Sequence, residues 1–442
     1  PMIFNNASIL AIDFETYYDQ DYSVAKLGNF AYVHDERFVA RLVSASDGNT
    51  SFAAPLDAFP WNELNGRTWV SHNREFDRAV FERLQELGIV SQAVRPMAWF
   101  DSAAAAAYLQ LPRALDEAVM AVLQIHLNKS VRKQFSSPLD QPLTPAAIMY
   151  ARADADACFQ LWQKIEKYWP EKERRLFELS SEMGRRGVLV DREAIEQNVD
   201  IVKSRLANLR SLIPINPGSP KAFRDFCVNN GVKDLKSSAH DEPAVQRFIA
   251  KNPSSPVTYL VLHLQEYRSL KHVLDVLNAM LQRIGPDGRM RFELKYYGAS
   301  TGRWSGGGGL NLQNLNSSNE HGINLRSTII APPGKTLAIV DYAQIEARVL
   351  LFLANDAAAL QQLSSGKDLY EVHARQTMGY TDPRPLKDVD PGLRKLAKAR
   401  VLGLGYGCGA EKFVDVAKIM SDIDLSLSDA ARAVQAYRKS NP

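Results

Sequence analysis

The stretch ILAIDFETY (residues 9–17) constrains the fold more than any other part of this chain. Apolar residues run from Ile9 and are interrupted at alternate positions by Asp13 and Glu15, which predicts a strand early in an α/β unit. Side chains alternate across a strand, so both carboxylates emerge on one face while Ile12 and Phe14 turn to a core. Two acids so placed repel and raise each other's pKa unless a cation lies between them. Taken alone, a DxE pair on a strand does not establish a metal site.

Further acids follow at helical spacing. In VSHNREFDRAVF, Asn73 and Asp77 are four apart, sharing one face of a helix anchored by Phe76 and Phe81. In YARADADACFQLW, Tyr150 and Asp154 repeat the arrangement. Each has a plain structural alternative: a capping Asn with a solvated Asp, or a packed Tyr beside a surface acid. The neighbouring polar residues His72, Glu75 and Asp156 receive no role.

Taken in order, the three segments resemble the DxE, NxxFD and YxxxD motifs of DEDD-class exonucleases. The resemblance implies an RNase H-like sheet flanked by helices. It also implies that Asp13, Glu15, Asp77 and Asp154 hold two divalent cations, that Tyr150 orients the attacking water and that Asn73 contacts DNA.

Length and composition allow more than one such unit. A chain of 442 residues, 45% hydrophobic, predicts two to four soluble domains. No apolar run is long enough to span a membrane and no basic region precedes the first apolar segment, so neither a span nor a signal peptide is expected. Cys158, Cys227 and Cys408 lack disulfide or zinc spacing, which fits a reducing, cytoplasmic setting. The net charge of +3 does not by itself imply a polyanion partner, although RKLAKAR (394–400) carries four cations in seven residues. Residues 171–288 read as mostly helical: a helix closing at RRG before a short strand, a helix start at Ser219-Pro220, and a long amphipathic helix with Arg268, Lys271 and His272 on its polar side.

A second constellation lies nearer the C-terminus. KTLAIVDYAQIEARVLLFLAND begins as a buried apolar strand, Leu337 to Val340, which ends at Asp341 and turns into a helix. In RKLAKARVLGLGYGCG, Arg394, Lys398 and Leu402 are successive i+4 steps with Tyr406 about 40° further round. That face suits a triphosphate and a base, cations for the phosphates and a ring for stacking. An ordinary amphipathic helix ended by glycines is the alternative.

DYAQIEARVL resembles motif A of the family A DNA polymerases, RKLAKARVLGLGYG their fingers motif, and TGRWSGGGGLNLQNL (301–315) their TGRxS…NLQN segment. The resemblance implies an α/β multidomain fold: an RNase H-like 3′-5′ exonuclease domain (1–170), a helical connector and thumb (171–288), the N-terminal part of a palm (289–355) and fingers (356–442). The implied activity is DNA-directed DNA polymerisation with proofreading in DNA replication. Two Mg²⁺ or Mn²⁺ would serve each active site, and primer-template DNA and deoxynucleoside triphosphates would be bound. Asp341 would hold both catalytic metals with the Tyr342 carbonyl. Glu346 would exclude the 2′-hydroxyl of a ribonucleotide, Arg394 and Lys398 would hold the triphosphate, and Leu402 and Tyr406 would line the nucleotide and template positions. Arg303, Asn311, Gln313 and Asn314 would touch the primer-template, where minor-groove acceptors recur on every correct pair.

The sequence departs from that pattern in three places. Leu402 stands where an aromatic residue is common, and Tyr370 where a histidine often faces the triphosphate. Motif C, which supplies the second metal-binding aspartate, is not found before YRKSNP, so palm and fingers are incomplete in this chain. That leaves a shortened form, an incompletely represented protein, or one chain of a split polymerase needing a complementary partner. A stand-alone exonuclease with a primer-template-binding remnant is a further alternative, and a processivity protein a further candidate partner. The early start of the exonuclease strand leaves no room for a 5′-nuclease domain, a compact form typical of bacteriophages, which would act in the host cytoplasm. Gly306 to Gly309 are expected to form a palm turn whose bare backbone approaches DNA closely.

Overall fold

The computed structural model describes every residue except 1, 2, 5, 6, 138–140, 241, 316–319 and 442. The chain divides into two compact units, residues 1–337 and 338–442.

The first unit is built on a five-stranded sheet in the order β3-β2-β1-β4-β5, with β1 Ile9–Thr16, β2 Ala40–Ser46, β3 Ser51–Ala54, β4 Thr68–Ser71 and β5 Ala98–Asp101. β1 runs antiparallel to β2 and parallel to β4, so its direction places Asp13 and Glu15 at the carboxyl end of the parallel strands. Both faces of the sheet are covered. Ile12, Phe14, Trp69, Phe81 and Trp99 form one core, and Ala11, Val70, Leu161 and Trp162 belong to another. Trp69 and Trp99 meet edge to face at 4.8 Å, and Phe81 closes on Trp69 at 4.9 Å.

Five helices accompany the sheet: α1 Val24–Val33, α2 Arg74–Glu86, α3 Ser102–Tyr108, α4 Leu115–Leu123 and α5 Pro145–Ile165. α5 starts where Thr144 caps Ala147 N–H and Pro145 fills the first helical position, where no N–H is needed. Five more follow: α6 Glu171–Arg186, α7 Arg192–Leu212, α8 Pro220–Asn229, α9 Pro243–Lys251 and α10 Pro256–Leu281. Gly187, at φ 68°, ends α6. The long α7 and α10 share a core through Val202, Leu206, Leu270 and Leu277. Short strands β6 Val188–Leu189 and β7 Arg289–Met290 pair, as do β8 Leu294–Lys295 and β9 Ser305–Gly306.

The second unit is helical among the described residues: α11 Ile345–Leu353, α12 Ala357–Ser364, α13 Leu369–Thr377, α14 Leu386–Val389, α15 Pro391–Leu404, α16 Ala410–Ser421 and α17 Leu427–Ser440. The strand expected over Leu337 to Val340 is coil, with Ile339 and Val340 92% and 90% exposed. A strand is buried by its neighbours, and no strand among the described residues pairs with this segment. No described helix is long and apolar enough to cross a membrane.

Candidate active sites

β4 pairs with β1 only from Ile9 to Ala11, and past Ser71 the space beside β1 is taken by α2. There Asp77 Oδ1 accepts the buried Phe14 N–H at 3.1 Å, between Asp13 and Glu15. The β1–β2 register shifts between Glu15 and Thr16, an irregularity that re-aims side chains at the strand end. Asp13 Oδ2 and Asp77 Oδ2 are fully enclosed and have no hydrogen-bond partner. Burial, then Asp154, push the Asp13 carboxyl up to about 7, against the opposing pull of Lys129 and Arg132. Burial, then Asp13, hold both Glu15 and Asp77 well above the usual carboxylate range. Enclosed carboxylate oxygens without donors are costly as anions, so this donor set fits a divalent cation.

Tyr150 and Asp154 reach the same place from successive turns of α5, and both are buried. Asp154 Oδ2 accepts from Lys129 Nζ at 2.8 Å, and the same nitrogen lies 3.4 Å from Tyr150 Oη. Lys129 and Arg132 escaped the motif reading; the cation-rich stretch LNKSVRKQF (127–135) was the available signal. Among the described residues no group of three or more His, Cys, Asp or Glu side chains is already drawn together closely enough to hold a metal ion, and Lys129 stands on Asp154 instead.

Asn73 departs from expectation. It is not on a helical face with Asp77 but precedes α2 as its N-cap, in the left-handed region at φ 80°, ψ 56°, and is exposed. The cause is Asp101 at the end of β5, whose carboxylate accepts the Arg74 N–H at 2.9 Å and forces a tight entry. The neighbouring polar residues serve as ties. His72 bridges Ser102 Oγ and the Arg113 carbonyl, Glu75 pairs with Arg74, and Asp156 accepts from Ser46 Oγ.

In the second unit Asp341 and Tyr342 are exposed on the coil before α11, and Glu346 is in its first turn. Gln344 links this segment onward, since its side chain accepts Leu369 N–H at 3.0 Å where α13 begins. The preceding residue, Asp368, receives the Arg394 guanidinium at 3.0 Å, which also lies 5.2 Å over the Tyr370 ring. Gln344 and Asp368 were missed because neither stands out in the sequence. Arg394, Lys398 and Leu402 lie on α15, but Tyr406 does not: the helix ends at Leu404 and Tyr406 is 80% exposed beyond it. Gly403, Gly405 and Gly407, the last at φ 79°, favour that exit.

The glycine turn has a different neighbour from the one expected. A Cβ on Gly308 would lie 2.7 Å from Glu293 Oε1, and one on Gly309 would lie 2.9 Å from the Lys26 carbonyl. The bare backbone therefore closes against α1 and Glu293. Glu293 in turn accepts Asn29 N–H at 2.6 Å, just past Gly28, where α1 is broken at φ 76°. Burial raises the Glu293 pKa. The turn also lines a groove of about 640 Å³ with Ala25, His272, Lys295, Asn311 and Asn314. Asn311 caps the short turn that follows by accepting Gln313 N–H. Gln313, Asn314 and Arg303 are exposed.

The family model for DNA polymerase family A matches residues 191–442, more than half of the chain. The chain belongs to DNA polymerase family A. A 3′-5′ exonuclease model matches residues 5–169 of this family A chain. DNA polymerase I of Pseudomonas aeruginosa is 28% identical over 61% of the chain and 31% of its own length. That of Aquifex aeolicus is 26% identical over 88% and 70%, and the DNA polymerase of Bacillus phage SP02 is 24% identical over 98% and 74%. The chain thus spans about a third of the P. aeruginosa enzyme and nearly three quarters of the phage one. The polymerase domain of Pol1 from M. smegmatis, solved with DNA primer-template and dNTP, shares its fold at a TM-score of 0.66 and 20% identity. That match covers 98% of this chain and 72% of that one.

Proposed function

We propose that this chain is a template-directed DNA polymerase with 3′-5′ proofreading exonuclease activity, acting in DNA replication on primer-template DNA and deoxynucleoside triphosphates. The observation that carries the reading is the pair of enclosed, unpartnered oxygens on Asp13 and Asp77, beside Glu15 and Asp154, in a chain whose remainder belongs to family A. The M. smegmatis relative, solved with primer-template and dNTP, supports the substrate class.

Divalent cations, two Mg²⁺ or Mn²⁺ per site, would when bound supply an activated water and charge stabilisation at the excision site and charge neutralisation at the addition site. For excision, Asp13, Glu15, Asp77 and Asp154 would hold those cations, Tyr150 would orient the attacking water, and Asn73 would contact the 3′ end of the DNA. For addition, Asp341 and the Tyr342 carbonyl would hold them. Arg394 and Lys398 grip the triphosphate, the former kept in place by Asp368 and the Tyr370 ring. Glu346 excludes the 2′-hydroxyl, while Leu402 and Tyr406 border the nucleotide and template. Arg303, Asn311, Gln313 and Asn314 contact the duplex.

The test is a paired assay. Mismatched primer-template given Mg²⁺ should lose its 3′ end, and matched primer-template with nucleotides should be extended; absence of both sinks the proposal. A second reading is favoured by the exposed coil from Leu337 to Asp341: the chain excises and grips primer-template, while addition requires palm strands supplied separately. Excision without extension, with extension restored by a complementary palm segment, would select it.

A further inference from the structure

Lys129 lies outside every motif yet makes a direct contact with the excision site. Its nitrogen is 2.8 Å from Asp154 Oδ2 and 3.4 Å from Tyr150 Oη. No other cation among the described residues is hydrogen-bonded to Asp13, Glu15, Asp77 or Asp154.

The backbone that delivers it is firmly held. Lys129 leads into the 3₁₀ segment Ser130–Ser136, whose Phe135 is fully buried beside Leu42 and Tyr150. Arg41 on β2 donates to the carbonyls of Gln134 and Ser137 at 3.1 Å and of Gln141 at 2.8 Å, and Tyr18 Oη donates to that of Arg132. The side chain itself is freer: about a third is exposed, against under a tenth for Asp154. An anchored backbone with a flexible, solvent-edged ammonium suits a group that stays nearby and can change partners.

We infer that Lys129 is the internal counter-ion of the excision site: it occupies Asp154 when no divalent cation is bound and is displaced when one arrives. The inference rests on the excision reading given above. An ammonium and a divalent cation on one carboxylate would repel strongly at such short range. Lys129 therefore weakens the first cation's binding and keeps Asp154 neutralised between turnovers. An ordinary structural ion pair predicts the reverse, because its loss would disorder Asp154 and loosen the metal.

The experiment measures Mn²⁺ binding to the full chain by the disappearance of the free-ion electron paramagnetic resonance signal. An Asp341→Ala background confines the count to the excision site. Lys129→Met and Lys129→Gln should each bind the first Mn²⁺ about tenfold more tightly than the parent, and Lys129→Arg should bind it no more tightly. With two neutral variants, the failure of one to fold leaves the other decisive. Unchanged or weaker binding in the folded neutral variants overturns the inference while leaving the metal site standing. A parent that binds no Mn²⁺, or whose binding survives Asp13→Ala, overturns the excision reading and the inference together.

Discussion

At the scale of single residues, the acids of the first unit gain their character from what surrounds them. Asp13 and Asp77 each keep an oxygen that nothing in the protein satisfies, which is costly unless a cation is supplied. Asp13→Ala with Glu15→Ala should abolish excision of a mismatched 3′ end, by about a thousandfold or more, and leave duplex binding unchanged in a filter or anisotropy assay. Persistent excision would remove the metal assignment. Glu346→Ala should raise ribonucleotide incorporation relative to deoxyribonucleotides, and an unaltered ratio would refute its steric role. In the second unit His373 is buried near Arg400, and burial, then that charge, lower its pKa to about 4. The unfolded chain takes up this proton near pH 6.5, the folded chain only near the lower value. Stability should therefore fall as the pH drops through that window, by up to about 3 kcal/mol. Urea midpoints at a series of pH values would show it, and His373→Gln should flatten the profile.

Among elements, legibility followed locality. The alternation in β1, the Ser219-Pro220 start of α8, the RRG close of α6 and the length of α10 were all readable, because each is set by period, cap or breaker within a few residues. The misses have distant causes. Leu337 to Val340 has a strand's composition, but pairing is a property of neighbours, and none of the described strands provides it. The i, i+4 spacing puts Asn73 on a helix face because Asp101, 28 residues on, cannot be seen from VSHNREFD. The face carrying Arg394 was legible and its Asp368 partner was not, since that pairing joins α15 to the residue before α13. The glycine turn belongs here as well. Gly308 has φ 58° and a carboxylate where its Cβ would be, so Gly308→Ala should cost about 1–3 kcal/mol. A chemical-denaturation midpoint measures this, and an unshifted one would contradict the close approach described.

For the whole molecule, the expected division of labour is testable with one substitution on each side. Asp341→Ala should stop nucleotide addition and spare excision, the mirror image of the Asp13, Glu15 pair; loss of both activities would mean the sites are not separable. Primer-template affinity should fall steeply between about 50 and 200 mM salt, because each phosphate gripped by Lys or Arg releases counterions. The contact between Glu293, Gly28 and the glycine turn ties α1 of the sheet-bearing region to the strand pair near the chain's middle. Glu293 thus constrains both the glycine turn close to it in the sequence and a segment of α1 264 residues away. A graft that brings a foreign exonuclease region onto this scaffold inherits that requirement, and its success should depend less on overall identity than on whether a glycine arrives opposite Glu293. The fit between the two regions would then be decided across a seam only a few ångströms wide.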